Sequence, residues 1–110
     1  MQYTQLLTVE ERFQLTDDML VVAPDFPLPK GRWSNLTGEV EIVPPNGKKF
    51  DAVAELTLAH FNIRDPAAGA EKRWRVLLKL PGLSKELVPV GSRVLASVSL
   101  VEAVTQGNAI

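Results

Sequence analysis

Two-residue alternation of apolar and polar side chains runs through most of this chain, and no other feature constrains its fold as strongly. Successive side chains of a strand point to opposite faces, so this pattern predicts strands with one buried face. The clearest examples are residues 38–43, 48–63 and 73–80. Proline and glycine separate these stretches, and we find no convincing long helix. The sequence therefore predicts an all-β protein.

The strand nearest the N-terminus is expected at residues 9–16. Phe13 and Leu15 alternate there with polar neighbours, so we interpret them as the buried face of a half-buried strand. A second strand follows at residues 19–23. It should end at Pro24, which has no N–H group to donate to a ladder.

Further strands are expected around a hairpin and near the C-terminus. Asn46-Gly47 is a strong hairpin signal, and residues 48–63 then form a strand long enough to need a bulge. Residues 84–87 suit one helical turn, and residues 92–101 form the last strand. Residues 24–37, which follow the second strand, form a proline-rich connection. Its apolar side chains should cover the core, and they are Phe26, Leu28, Trp33 and Leu36.

Strands of this length leave edges that are prone to aggregation, and closure removes such edges. We therefore predict a closed antiparallel β-barrel of six to seven strands. The length of 110 residues suits one domain, with residues 1–8 and 102–110 at its periphery.

Composition excludes several kinds of site. The chain has no cysteine and one histidine, so it can form no disulfide, thiolate zinc site or three-histidine metal site. Its net charge of −1 argues against nucleic-acid binding over the whole surface. Residues 1–55 nevertheless carry a net −4 and residues 56–110 a net +3, which leaves one basic face open. We expect no metal and no cofactor.

Several segments in order carry a family resemblance. Residues 38–43 read Gly-Glu-Val-Glu-Ile-Val, residues 60–61 are His-Phe, residues 65–69 are Asp-Pro-Ala-Ala-Gly, and an apolar strand with Pro81-Gly82 leads to Gly91 and a final strand. Together they resemble domain 2 of elongation factor Tu and related translation GTPases over residues 9–97. The resemblance implies a translation-protein barrel that stands alone as a binding platform for RNA or protein. No phosphate-binding glycine loop is present, so nucleotide binding and GTPase activity are not expected.

Two arginine–tryptophan groups are the candidate partner-binding residues. They are Arg32-Trp33 and Arg73-Trp74-Arg75, and the predicted contacts are Arg32, Trp33, Arg73 and Arg75. Arginine beside an aromatic ring suits base stacking and phosphate contact. The alternative is a core Trp74 flanked by solvated arginines, and we expect Trp74 to face inward. Trp33 should be a lid over the barrel mouth or a partner contact.

The sequence gives little support for a catalytic site. His60 could carry a proton, or it could be a hydrogen-bonded structural residue at a strand end. Ser34, His60 and Asp65 supply the residue types of a hydrolase triad, but no nucleophile elbow accompanies them. We therefore predict no enzyme activity and no catalytic residue.

The predicted function is that of a non-catalytic binding module that docks a protein or RNA partner. The alternative is a small homo-oligomeric subunit, such as a homodimer, with no nucleic-acid role. The N-terminal residues lack the pattern of a signal peptide, and no apolar run reaches the roughly 20 residues of a membrane helix. We therefore expect a cytoplasmic protein without a membrane partner.

Overall fold

A computed structural model describes residues 3–16, 18–27, 29, 33–60 and 74–107. The described residues form seven strands and one helix. In chain order these are β1 (Tyr3–Thr8), β2 (Glu11–Thr16), β3 (Met19–Pro27), β4 (Leu36–Val43), β5 (Phe50–His60), β6 (Trp74–Pro81), β7 (Arg93–Ser97) and α1 (Val98–Gln106). The strands form one antiparallel sheet in the order β1-β7-β4-β5-β6-β3-β2. This sheet curls into a half-barrel, and the all-β prediction is confirmed.

The core fills the concave face of the sheet. Alternate residues of β4, β5, β6 and β7 point into it, as the two-residue period of these segments predicts. The fully buried side chains include Val40, Ile42, Leu56, Val76, Leu78, Leu80 and Val94. Burying each such aliphatic side chain contributes about 1.5–3 kcal/mol, so this layer is the main source of stability.

The N-terminal segment contacts both edges of the sheet. β1 pairs with β7, whereas β2 pairs with β3, and only Val9 and Glu10 separate the two strands. The Val9 N–H donates to the Ser92 carbonyl at 2.8 Å, and the Glu10 N–H donates to the Ala23 carbonyl at 2.8 Å. Leu7 of β1 is buried in the core, so part of the N-terminal stretch that was expected at the periphery belongs to the packed structure.

Strand β3 does not end at Pro24, so that prediction is wrong. The strand continues to Pro27, and its register against β6 shifts between Val22 and Phe26. Pro24 lies within this irregular stretch. A proline is tolerated there because the interrupted ladder does not require its missing N–H group.

The hairpin from β4 to β5 confirms the Asn-Gly prediction. Gly47 has a φ of 82°, which glycine adopts readily, and the Gly47 N–H donates to the Pro44 carbonyl at 2.9 Å. β5 keeps one register against β4 and one against β6 along both described ladders. The bulge expected in residues 48–63 is therefore not found between Phe50 and His60, and the register shifts of the described strands lie in β1, β2 and β3.

The last predicted strand is wrong beyond Ser97, where the chain turns into α1. The Ser97 hydroxyl accepts a hydrogen bond of 3.2 Å from the Leu100 N–H, which caps the helix. Leu100 and Val104, four residues apart, are the buried side chains of this helix. Leu100 lies over Gly38 of β4, where a Cβ atom added to the glycine would stand 3.3 Å from its methyl groups.

Candidate functional site

Of the predicted partner-binding residues, the structure describes Trp33 and Arg75. Arg32 and Arg73 lie outside the described residues, so the structure tests neither. Trp33 packs partly buried against the core, and its indole N–H donates to the Asn35 side-chain oxygen at 3.0 Å. That oxygen also accepts the Leu58 N–H at 2.9 Å. Trp33 is thus held against β5 through Asn35.

Arg75 is engaged by a carboxylate of the neighbouring strand. Its Nε lies 3.1 Å from one Asp25 oxygen and its Nη2 lies 3.2 Å from the other. This two-pronged geometry is the strongest form of arginine–carboxylate pairing. The guanidinium is therefore occupied within the fold, which weakens its case as a phosphate-binding group.

Trp74 lies on the same side of β6 as the buried Val76 and Leu78, as the alternation predicts, but it is not itself a core residue. It pairs across the sheet with His60 at the ends of β5 and β6, and its side chain is 39% exposed. The two rings are tilted, with centroids 4.5 Å apart. Trp74 lies two residues before Val76, which is the last fully buried residue at this end of β6. The core does not extend far enough to cover Trp74.

Strand β2 is inverted relative to the prediction. Arg12 and Gln14 stand opposite Val22 and Leu20, which point inward, whereas Phe13 stands opposite Val21 on the outer face. Phe13 and Leu15 are 54% and 58% exposed. The predicted buried face of this strand is therefore its solvent face.

The inner side of β2 meets the main chain of the segment that follows β6. Arg12 Nη1 donates to the Lys85 carbonyl at 2.9 Å, and the Gln14 side-chain oxygen accepts the Lys85 N–H at 3.1 Å. The Gln14 amide also donates to the Leu83 carbonyl at 3.4 Å. The polar side chains at these positions therefore supply hydrogen-bond partners for main-chain groups of a segment that is distant in sequence.

The apolar side chains of β2 open onto a groove on the convex face of the sheet. We call this site the outer groove; it has a volume of about 400 Å³. Its lining consists of Phe13, Leu15, Val21, Val22, Ala23, Asp25 and Leu77. Asp25 is the charged residue of this lining, and it is already paired with Arg75. The groove therefore offers shape and apolar surface rather than charge.

Metal-ligating side chains do not cluster in the described part of the chain. Within residues 3–16, 18–27, 29, 33–60 and 74–107, no three side chains among histidine, aspartate and glutamate gather as a metal site would require. The proposed Ser34, His60 and Asp65 arrangement cannot be tested, because Asp65 lies outside this part of the chain.

Sequence reasoning missed the outer groove because it assigned Phe13 and Leu15 to the core. The alternation was recognised correctly, but alternation does not say which face points inward. One signal was available in the length of the polar side chains. The side chains of Arg12 and Gln14 are long enough to reach another segment of the chain. A strand residue that faces open solvent does not need such length.

No family model, curated protein or solved structure matches this chain. Among the helices of the described residues, none has the length and apolar character needed to cross a membrane.

Proposed function

We propose that this chain is a non-catalytic binding module that docks a protein partner in the outer groove. The observation that carries the proposal is the exposure of Phe13 and Leu15 beside an apolar recess. Monomeric proteins rarely leave adjacent large apolar side chains open in one concave patch unless something covers them. Aromatic side chains of this kind are also frequent energetic centres of protein interfaces.

A protein partner fits this site better than RNA does. RNA recognition requires cations for phosphates and aromatic faces for bases. The outer groove offers apolar walls, and the nearby Arg75 guanidinium is bonded to Asp25. Arg32 and Arg73 lie outside the described residues and give the RNA alternative no geometric support. RNA binding is therefore an outcome for experiment rather than part of the proposal.

The proposal includes the type of barrel. A closed barrel similar to domain 2 of elongation factor Tu would have β1 and β2 joined end to end as one bent strand, with β1 paired to β7 and β2 paired to β3. Support comes from Val9 and Glu10, whose main-chain hydrogen bonds lead the chain from β7 to β3 within two residues. In such a barrel the concave side is filled by the core, so partners bind on the outside or at the ends.

Site-specific photo-crosslinking tests the docking function. A photoreactive phenylalanine analogue replaces Leu15 in cells that make the protein, and a matched copy carries it at Val53. Val53 is also a strand residue, is 47% exposed and lies outside the groove lining. We expect one protein to be captured from position 15 but not from position 53.

The captured protein is then purified and titrated with the unmodified chain by calorimetry. Phe13→Ser should weaken binding at least about tenfold, as the loss of a central aromatic contact does, whereas Val53→Ser should leave it unchanged. Equal capture at both positions, or RNA in place of protein at position 15, would overturn the proposal. So would binding that Phe13→Ser does not weaken.

A further inference from the structure

The turn between β4 and β5 contains two adjacent groups that can react with each other. The chain has four asparagines, and Asn46 is the one that a glycine follows. Glycine has no side chain to hinder the approach of its main-chain nitrogen to the asparagine side chain. Both Asn46 and Gly47 are exposed, and a Cβ atom added to Gly47 would meet nothing within 4 Å. Solvent therefore reaches both groups.

The reaction of these groups is deamidation. A solvent base removes the proton of the Gly47 main-chain nitrogen, and the lone pair of this nitrogen attacks Cγ of the Asn46 side chain. An N–C bond forms, the bond from Cγ to the side-chain nitrogen breaks, and that nitrogen leaves as ammonia. Water then opens the resulting five-membered succinimide at either of its carbonyls. The products are aspartate and isoaspartate.

Both reacting groups are engaged in the folded turn. The Gly47 N–H donates to the Pro44 carbonyl at 2.9 Å, and the Asn46 side-chain oxygen accepts the Lys48 N–H at 2.8 Å. The bond from Lys48 polarises the carbonyl that is attacked, but the Gly47 nitrogen has to give up its proton before it can attack. Because Pro44 holds that proton, the closed turn opposes the reaction.

We propose that Asn46 is a deamidation site of this protein and that opening of the turn at residues 44–49 controls the reaction. An opened turn releases Gly47 from Pro44 and frees the Asn46 side chain. Local openings of this kind occur without unfolding of the whole chain. The site is independent of the outer groove, because the described residues that line the groove lie on β2, β3 and β6.

The two products affect the hairpin differently. Aspartate keeps a side-chain oxygen that accepts the Lys48 N–H, now in a charge-assisted hydrogen bond. Isoaspartate carries the main chain through its Cβ, which adds one atom to the turn. β4 and β5 keep one register from Leu36 opposite Leu56 to Ile42 opposite Phe50, so the extra atom strains the end of this ladder. Each product also makes the net charge of the chain one unit more negative than −1.

Peptide mapping by mass spectrometry tests the proposal on the full chain. The protein is incubated at neutral pH, either folded in buffer or unfolded in concentrated urea, and aspartate and isoaspartate at position 46 are quantified over time. We expect the folded chain to react at least about tenfold more slowly, which corresponds to an opening free energy of about 1.4 kcal/mol or more. Equal rates in the two states, or a faster reaction in the folded state, would overturn the control by the turn.

Asn35 is the control within the same chain. Its side-chain oxygen accepts hydrogen bonds from Trp33 Nε1 at 3.0 Å and from the Leu58 N–H at 2.9 Å. Leu36 follows it, and the leucine side chain hinders the attacking nitrogen in the unfolded chain as well. Position 35 should therefore stay unmodified during the time in which position 46 converts in urea. Conversion of both positions at one rate, or no conversion at position 46, would overturn the assignment of the site.

Three variants separate the chemistry from the opening of the turn. Gly47→Ala, measured in urea, should lose most of the product formed in the same time, because its methyl group hinders the attack. Phe50→Ala should speed the reaction of the folded chain at least about threefold, because Phe50 forms the ladder pair nearest to the turn and packs against the core. Thr37→Ala, exposed and near the far end of β4, should leave the folded rate unchanged.

Circular dichroism checks that the Phe50→Ala and Thr37→Ala chains are folded. A folded Phe50→Ala chain that reacts no faster than the wild type would contradict control by the turn. The comparison between buffer and urea uses the wild-type chain alone, so it decides the proposal even if Phe50→Ala fails to fold.

Discussion

The Arg12 guanidinium donates a hydrogen bond of 2.9 Å to the main-chain carbonyl of Lys85, which lies 73 residues further along the chain. The same Nη1 atom lies 3.4 Å from the Val88 carbonyl. Val88 itself is fully buried. The Arg12 side chain thus links β2 to the segment between β6 and β7. Because Arg12 lies on the inner side of β2, the apolar side chains of this strand point outward.

Arg12→Ala should destabilise the fold by about 1–3 kcal/mol, because it removes the hydrogen bonds from a charged donor to the Lys85 and Val88 carbonyls. Urea unfolding followed by circular dichroism measures this free energy. Arg93→Ala is the matched control, since Arg93 is an exposed strand residue, and it should change the free energy by no more than about 0.5 kcal/mol. Equal effects of the two variants would contradict the fastening role of Arg12.

The inverted face of β2 gives a second prediction. Leu78→Ala should cost about 2–5 kcal/mol, because Leu78 is fully buried in the core. Leu15→Ala should cost less than about 1 kcal/mol, because more than half of its side chain is already in water. Paired urea titrations of the two variants decide the point. A large loss at Leu15 would mean that its side chain is a core residue, as the sequence pattern suggested.

The strands of the sheet were predictable from the sequence wherever alternation coincided with a core on one side. In β5 and β6 the inward residues are those that the pattern selects, and Gly47 marks the turn that precedes β5. These predictions depend on local information alone. Period, turn chemistry and burial agree there, so one interpretation satisfies all of them.

The wrong structural predictions concern segments whose conformation depends on contacts with residues that are distant in sequence. The face of β2 depends on the main-chain groups of Lys85 and its neighbours, which the sequence around Phe13 does not reveal. Similarly, residues 98–101 alternate well enough to suit a strand. The helix forms because the Ser97 side chain caps it and because Leu100 finds space over Gly38.

The candidate site was predictable only in kind. A non-catalytic binding surface followed from composition and from the missing motifs, and it stays a prediction. Of the residues suggested for it, Arg32 and Arg73 lie outside the described part of the chain. Arg75 is paired with Asp25, and Trp33 packs against the core. No motif in the sequence marks either contact.

Glu86 gives a pH-dependent prediction. A hydrogen bond from its own main-chain N–H lowers the pKa of this carboxyl below its ordinary value of 4.5, and the Ser84 side chain lowers the pKa further. The folded chain therefore favours the ionised form. The resulting stabilisation is present above pH 4.5 and is lost as the pH falls through the lower folded pKa.

Glu86→Gln should therefore be less stable than the wild type at neutral pH, and the difference should shrink as the pH falls through the lowered pKa of the folded Glu86 carboxyl. Urea unfolding at a series of pH values measures it. Glu39→Gln, an exposed strand variant, is the control for general charge effects. A Glu86→Gln deficit that persists unchanged in acid would show that the effect does not come from ionisation.

Gly38 supports α1 through the space it leaves, and Gly38→Val tests that role. A Cβ atom would lie 3.3 Å from both methyl carbons of Leu100, so a branched side chain must displace the helix from β4. The expected loss of stability is about 1–3 kcal/mol, as for overpacking elsewhere. Hydrogen exchange should quicken in α1 before it quickens in β5.

Thr37→Val is the control, because Thr37 is an exposed neighbour in the same strand, and it should leave both measurements unchanged. Unaltered exchange in α1 of the Gly38→Val chain would contradict the close packing of Leu100 on β4.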